Sequence, residues 1–238
     1  MSEIETHEII ESGGIKVPID PAVTTPGVMK SLRRGVYENA RVKCLAGMVE
    51  AGDRIIDIGG GMGFTSALMA MGGLPELIVS IDGHPGVQAY AARLHDLNGV
   101  SGVIHRNALV VTVKAADREK FYLSADFWGS SMIPEVRDQT GVADIPVLSF
   151  SDLIAEYRPN MLVIDLEVMK EYMRPGAASG PVEAMDLSGI DKVVVHLPMH
   201  LGGQRGIKRV FDFFSAQDFY YNIDHSRQAV VLFSRIRP

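Results

Sequence analysis

Arg54-Ile55-Ile56-Asp57-Ile58-Gly59-Gly60-Gly61-Met62-Gly63-Phe64-Thr65-Ser66-Ala67 decides the fold. An apolar run carrying one acid breaks into glycines, and small, helix-compatible residues follow through Ala70. That order reads as strand, tight turn, helix. Glycines let the backbone take positive φ and let a ligand approach closely. The helix N-terminus then offers unpaired N–H groups and the positive end of a dipole. Spacing narrows the ligand. A dinucleotide fingerprint is G-x-G-x-x-G. Here Gly59, Gly61 and Gly63 make G-x-G-x-G, and Phe64 stands where the third dinucleotide glycine belongs. A nicotinamide-dependent oxidoreductase is disfavoured on that ground.

The chain of 238 residues has room for one large α/β domain or two small ones. With 47% hydrophobic and 22% charged residues it reads as a soluble globular protein. No apolar run approaches the roughly 18 residues of a membrane span, so a membrane is excluded as partner. Met1-Ser2-Glu3-Ile4-Glu5 lacks the basic start and apolar core of a signal peptide, so a cytoplasmic location is expected. The single cysteine, Cys44, rules out an internal disulfide framework and reads as a core residue. Net charge is −6 and Arg33-Arg34 is the main basic cluster, so nucleic acid is expected not to be a partner.

Working outward, a short strand pair is expected around Glu8–Ile10 and Ile15–Pro18. A helix is expected over residues 28–50, with Val36, Ala40, Cys44 and Met48 on one face. Leu77–Asp82 reads as the second parallel strand. Asp82 lies about one βαβ unit after the turn, where an acid binds ribose hydroxyls. It also suits a helix-capping loop ahead of Pro85. A helix over 86–97 leads to a third strand, Gly102 to Val111. Residues 118–133 depart from the alternation, and Trp128 there reads equally as a pocket wall or a surface aromatic. Ile145–Ser149 is a strand, and Phe150–Tyr157 a helix capped by Ser149 or Ser151.

Met161–Glu167 reads as a buried strand ending in two acids, Asp165 and Glu167, which point the same way on extended backbone. Residues 168–182 read as a loop of small residues. Lys192–Leu197 is a further strand running into His196 and His200. Those histidines sit at i, i+4, but Pro198 between them argues against a helix, so no metal site is expected. A helix over Gly206–Ala216 and a hairpin of Phe219–Tyr221 with Ala229–Phe233 close the chain.

With Asp57 ahead of the glycines the turn reads D-x-G-x-G-x-G, which resembles the first motif of Rossmann-like S-adenosylmethionine (SAM)-dependent methyltransferases. Within that class the chain resembles the FkbM-type family. Gly35-Val36-Tyr37-Glu38, Leu97-Asn98-Gly99-Val100 and Ile145–Ile154 ahead of Leu162–Glu167 carry the likeness, over roughly residues 30–235. The resemblance implies an α/β fold: a seven-stranded, mostly parallel sheet with an antiparallel last strand and helices on both faces. Residues 1–50 would be an N-terminal extension and helix packing on the core, and residues 51–238 the methyltransferase domain. The implied cofactor is SAM, held by Asp57, Gly59, Gly60, Gly61, Gly63, Asp82, Gly83 and Asn107. Asp165, Glu167 and His196 are the catalytic candidates, since an oxygen acceptor gains nucleophilicity when a base takes its proton. The family pattern D-x-E-G-x-E stops short here, at Asp165-Leu166-Glu167-Val168-Met169-Lys170. O-methylation of a small molecule or sugar-type acceptor is the expected function. The alternative is a binding protein that kept the fold and lost catalysis. A homo-oligomer is left open.

Overall fold

Strands that are apolar on both sides need cover on both sides, and this chain supplies it with helices. The computed structural model describes residues 8–72, 75–134, 138–165, 184–197 and 203–236. The chain opens with a hairpin, β1 (Ile9–Ser12) and β2 (Ile15–Pro18), then helices α1 (Pro26–Arg33) and α2 (Asn39–Leu45). β3 (Arg54–Ile58), α3 (Phe64–Met71), β4 (Leu77–Asp82), α4 (Pro85–Leu97) and β5 (Val103–Asn107) alternate. β6 (Leu109–Val111), β7 (Arg118–Ser124), a 3-10 turn at Phe127–Gly129 and β8 (Gln139–Ser149) follow. α5 (Phe150–Tyr157), β9 (Met161–Ile164), β10 (Lys192–His196), α6 (Gly203–Ser215), β11 (Phe219–Tyr221) and β12 (Val230–Arg235) complete the described elements. Among the described residues no helix is long and apolar enough to cross a membrane.

The main sheet runs β11-β12-β10-β9-β3-β4-β5. β12 pairs antiparallel with both its neighbours, and every other pair is parallel. The expected seven-stranded sheet with its antiparallel last strand is therefore present. The chain winds outward from β3 to β5, then returns to the other side of β3 at β9. Such a reversal opens a crevice beyond the strand carboxyl ends, where open α/β sheets bind ligands.

Alternate strand residues face opposite ways. Ile56, Ile58, Leu162 and Val193 pack with Phe150 of α5 and Phe214 of α6. Ile55, Met161, Val163 and Val194 pack with Cys44 of α2 and Met69 of α3. Full burial of one side chain such as Phe214 contributes about 2 to 3 kcal/mol. Cys44 is wholly buried, and burial pushes its thiol up to about 11.

Opposite the crevice, one cation ties the sheet together. Lys192 Nζ donates to the Met48 carbonyl at 2.8 Å, Glu50 Oε2 at 2.9 Å and Asp53 Oδ2 at 2.7 Å. Asp53 Oδ1 accepts from Asn160 Nδ2 at 2.8 Å, and Asn160 Oδ1 accepts from the Arg54 N–H at 2.8 Å. The loop ahead of β3 is thereby fixed to β9 and β10.

Three boundaries differ from expectation. The helix expected over 28–50 is two helices. Gly35 (φ 63°) and Glu38 (φ 51°) take left-handed backbone between them, and Val36 is exposed. The expected strand Gly102–Val111 is also two pieces. β5 runs out of ladder at Asn107, opposite the last residue of β4, Asp82. From Leu109 the chain enters a second sheet of order β6-β8-β7, in which β8 is longer than the expected Ile145–Ser149. Ser149 does cap α5, accepting from the Asp152 N–H at 3.0 Å. Finally, β1, β2 and α1 pack on α3 and α4 through Ile15, Val17, Val28 and Leu32 against Phe64, Tyr90 and Leu94.

Candidate functional site

The glycine turn joins the ends of two central strands. The Gly59 and Gly60 N–H groups both donate to the Ile81 carbonyl, at 2.8 and 3.1 Å. Gly59, Gly61 and Gly63 take φ of 81°, 54° and 82°, a region that disfavours side chains. Gly63 caps α3, and a Cβ there would stand 2.8 Å from Ala91 Cβ, so α3 and α4 approach closely. Gly60 is needed for space rather than for φ. A Cβ would overlap Ser80 Oγ and stand 3.1 Å from Asp57 Oδ2. Gly60→Ala is expected to cost about 1 to 3 kcal/mol through overpacking. Adding Ser80→Ala should return most of that loss, because Ser80 Oγ is buried with no hydrogen-bond partner among the described residues. Urea denaturation of both single variants and the double variant measures the coupling, and strict additivity would contradict it.

Asp82 braces the turn. Its Oδ2 accepts from the Gly61 N–H at 3.0 Å and its Oδ1 from the His84 N–H at 2.8 Å. Burial pushes its carboxyl up to about 6, against the downward pull of those two N–H donors. Asp57 lies beneath Gly60, fully buried, and neither of its oxygens has a hydrogen-bond partner among the described residues. Burial pushes its pKa up to about 7, although Arg41 pulls the other way.

Over the turn lies a cavity of about 310 Å³, within the range of small-molecule sites. Gly59, Gly60, Gly61, Asp82 and Gly83 line it. A Cβ on Gly83 would stand 2.5 Å from Leu109 and 3.3 Å from Phe121, so those side chains press directly on the backbone. Phe127 packs on Gly61, 3.3 Å from where a Cβ would stand, and meets Trp128 edge-on at 5.2 Å between centroids. Trp128 thus belongs to the cavity wall while remaining part-exposed. Of the other residues expected to hold a cofactor, Asp57, Gly63 and Asn107 do not line the cavity. Asn107 supports it instead: its Nδ2 donates to the Asp82 carbonyl at 2.9 Å.

The far end of the cavity is charged. Tyr37, Glu38, Arg41, Asp165 and His196 line it. Arg41 is buried and pairs with Asp165 and, at 3.3 Å, with Glu38. Burial works against the Arg41 cation, but Glu38 and Asp165 outweigh it and keep it charged. Burial likewise raises Asp165, yet His196 and Arg41 pull harder and hold it at about 2. His196 Nδ1 stands 3.9 Å from Asp165 Oδ2, an ion-pair separation. Asp165 and His196 therefore come together from neighbouring strand ends. Glu167, residues 168–182 and His200 lie outside the described residues. Among the described residues no cluster of three or more His, Cys, Asp or Glu is placed to hold a metal ion. Sequence reasoning did not place Glu38, quoted only within the resemblance, or Arg41 in the site. Their signal was an opposite-charge pair at i, i+3 beside an apolar helix face.

No family model matches the chain, and no curated protein matches it. Solved structures do. Trm5b from Pyrococcus abyssi is 14% identical over 98% of this chain and 57% of its own, with a TM-score of 0.50. M. jannaschii TYW2 in complex with AdoMet is 14% identical over 99% and 90%, with a TM-score of 0.48. The Pyrococcus abyssi tRNA (uracil-54, C5)-methyltransferase in complex with S-adenosyl-L-homocysteine is 14% identical over 97% and 44%, with a TM-score of 0.48. The seven-stranded sheet is Rossmann-like, and the chain shares its fold with Trm5b. At this identity the likeness is one of fold.

One expectation falls here. Nucleic acid was to be excluded as a partner on net charge, and the fold shared with Trm5b lends that exclusion no support. Net charge is a sum over the whole chain, whereas a phosphate backbone meets local charge. Lys30, Arg33 and Arg34 are all exposed at the end of α1, three residues before the cavity wall begins at Tyr37. A net charge of −6 therefore excludes nothing of this kind.

Proposed function

We propose that the chain is a SAM-dependent methyltransferase acting on a hydroxyl group. The observation that carries this reading is the pairing of a turn free of side chains with Asp82 at the cavity floor. Asp82 uses one lone pair of each oxygen on the backbone, which leaves others to accept from two neighbouring hydroxyls. The Gly59–Gly61 backbone admits a ligand at close range, and Leu109 and Phe121 offer an apolar slot beside Gly83. These residues fit a nucleoside with an attached chain. SAM, when bound, would supply an electrophilic methyl group on a sulfonium.

The chain's own residues would handle the acceptor proton. His196 presents one ring nitrogen toward Asp165 and keeps the other for an acceptor O–H. Asp165 orients the ring, and Arg41 keeps Asp165 ionised. The aromatic wall of Phe121, Phe127 and Trp128 limits water at the reacting centre.

Isothermal titration with SAM tests the reading, and no binding by the wild type would end it. NAD and NADP serve as controls. Small-molecule and sugar-type hydroxyls come first in the acceptor panel, with tRNA included. His196→Gln is expected to lower turnover by about 10²- to 10⁴-fold, as for loss of a general base, with SAM affinity near that of the wild type. Equal loss of both would remove His196 from the acceptor side. The second reading, a binding protein without catalysis, is favoured by Val168-Met169-Lys170 following Glu167. Turnover of any acceptor disposes of it.

A further inference from the structure

Behind the glycine turn runs a chain of polar groups that proton abstraction does not use and that does not line the cavity. His95 on α4 places Nε2 2.9 Å from the Gly63 carbonyl oxygen and 3.1 Å from Ser66 Oγ. Its Nδ1 lies 3.0 Å from Nε2 of His105 on β5. His105 Nδ1 lies 3.1 Å from Gln88 Oε1, and Gln88 Nε2 donates to the Ser80 carbonyl at 3.5 Å. His95 and Gln88 are both buried. The chain thus joins α3, α4, β4 and β5 and ends on the last glycine of the turn.

Its donors and acceptors can be counted. A carbonyl oxygen only accepts, so His95 Nε2 carries a hydrogen toward Gly63. A neutral His95 then has a bare Nδ1, which must accept from His105 Nε2–H. A neutral His105 has in turn a bare Nδ1, which needs a donor. Gln88 supplies one only by turning its NH₂ group around, and its oxygen then faces the Ser80 carbonyl oxygen. One added proton on the imidazole pair removes that conflict. His105 Nδ1–H then donates to Gln88 Oε1, and the Gln88 NH₂ stays with Ser80.

Burial opposes that proton. It pushes His95 down to about 4 and lowers His105 as well. His105 adds to the effect on His95, while Asp96 on α4 acts on both rings and favours the charge. Ser66 and Ser80, facing from α3 and β4, are neutral. The pair is therefore neutral at neutral pH, with a hydrogen-bond mismatch that acid relieves.

We propose that His95 and His105 are positioning residues that hold the glycine turn through the Gly63 carbonyl, and that one proton shared by the pair weakens binding of a cationic ligand above the turn. The proton would place a positive charge behind the turn, where it would oppose a cationic ligand held over the Gly59–Gly61 backbone. The second half of the proposal rests on SAM as the ligand.

The test compares SAM affinity at about pH 8 and about pH 5.5 in the wild type and in His105→Phe, which keeps a ring at that position and removes the proton. Asp57 and Asp82 also titrate in this range, so the readout is the difference between the two proteins. The wild type is expected to lose more affinity on acidification than the variant, by a ratio that widens as the pH is taken down toward about 4. Equal losses overturn the proposal, since a merely structural role shifts both pH values alike. Gln88→Met provides a second arm through imidazole nitrogen–proton correlation spectra. The wild type should show His95 as the Nε2–H tautomer, with one proton taken up by the pair. Gln88→Met should move that uptake to lower pH. An Nδ1–H tautomer at His95, or two rings titrating independently, overturns the relay. If the wild type binds no SAM at any pH, the cofactor reading fails, and the spectra still decide the relay.

Discussion

Gly61→Val is expected to leave the protein folded and without measurable affinity for SAM. The valine has two obstacles. Gly61 sits at φ 54°, where a β-branched residue is strained, and its Cβ would stand 3.3 Å from the Phe127 ring. Strain of this kind costs about 1 to 3 kcal/mol, and the turn relieves it by moving. Movement breaks the 3.0 Å bond from the Gly61 N–H to Asp82 and tilts the cavity floor. Loss of about 2.7 kcal/mol of binding free energy is already a hundredfold in affinity. Calorimetric titration reads the binding, and circular dichroism through a thermal melt reads the fold. Gly14→Ala is the control. Gly14 has φ 82° with open space around its Cβ, so the substitution brings strain without touching the cavity. Wild-type affinity in Gly61→Val would remove the turn from the binding site.

The largest loss of stability is expected from Lys192→Met, about 3 to 5 kcal/mol by urea denaturation. Lys192 and Asp53 have side chains only 8% and 3% exposed, so removing the ammonium leaves Asp53 charged with its Lys192 partner gone. The Met48 carbonyl loses its Lys192 donor as well. Asp53 retains bonds from the Glu50 N–H and Asn160 Nδ2, which hold it in place without neutralising it. Adding Asp53→Asn should recover part of the loss by removing the orphaned charge. A change below about 1 kcal/mol in Lys192→Met would mean that water reaches Asp53 and takes over the role.

The turn and the strands around it were legible because their signals are local. Glycine spacing, an acid at the end of Leu77–Asp82, and apolar runs of strand length all lie within a few residues of one another. The charged end of the cavity was legible only in halves. Asp165 and His196 stood out as polar residues ending apolar strands. Arg41, their partner across the fold, sat in a helical pattern of Val36, Ala40, Cys44 and Met48 that concealed a break. No periodicity reveals that Glu38 takes left-handed backbone or that a helix restarts at Asn39. The bond from Arg41 to Asp165 spans 124 residues of chain, and only the fold brings them together. The His95–His105 pair was invisible for the same reason. Each residue alone reads as an ordinary polar residue, and the relay exists only because α4 lies against β5.

The small sheet has a bearing on what this cavity can become. β6 and β8 run side by side, Leu109 opposite Val147 and Val111 opposite Ser149. The stretch between them therefore leaves and rejoins the body of the protein at adjacent points, around a cluster of its own that includes Val111, Ile145 and Val147. It behaves as a cassette plugged in at one edge. Phe121, Phe127 and Trp128 travel with it, whereas Gly59, Gly61 and Asp82 belong to the chassis. Replacements at exposed Trp128 recut the mouth, while the register of β3, β4 and β9 is set by their own ladders. The mouth of the cavity can thus change shape over a floor that stays as it is.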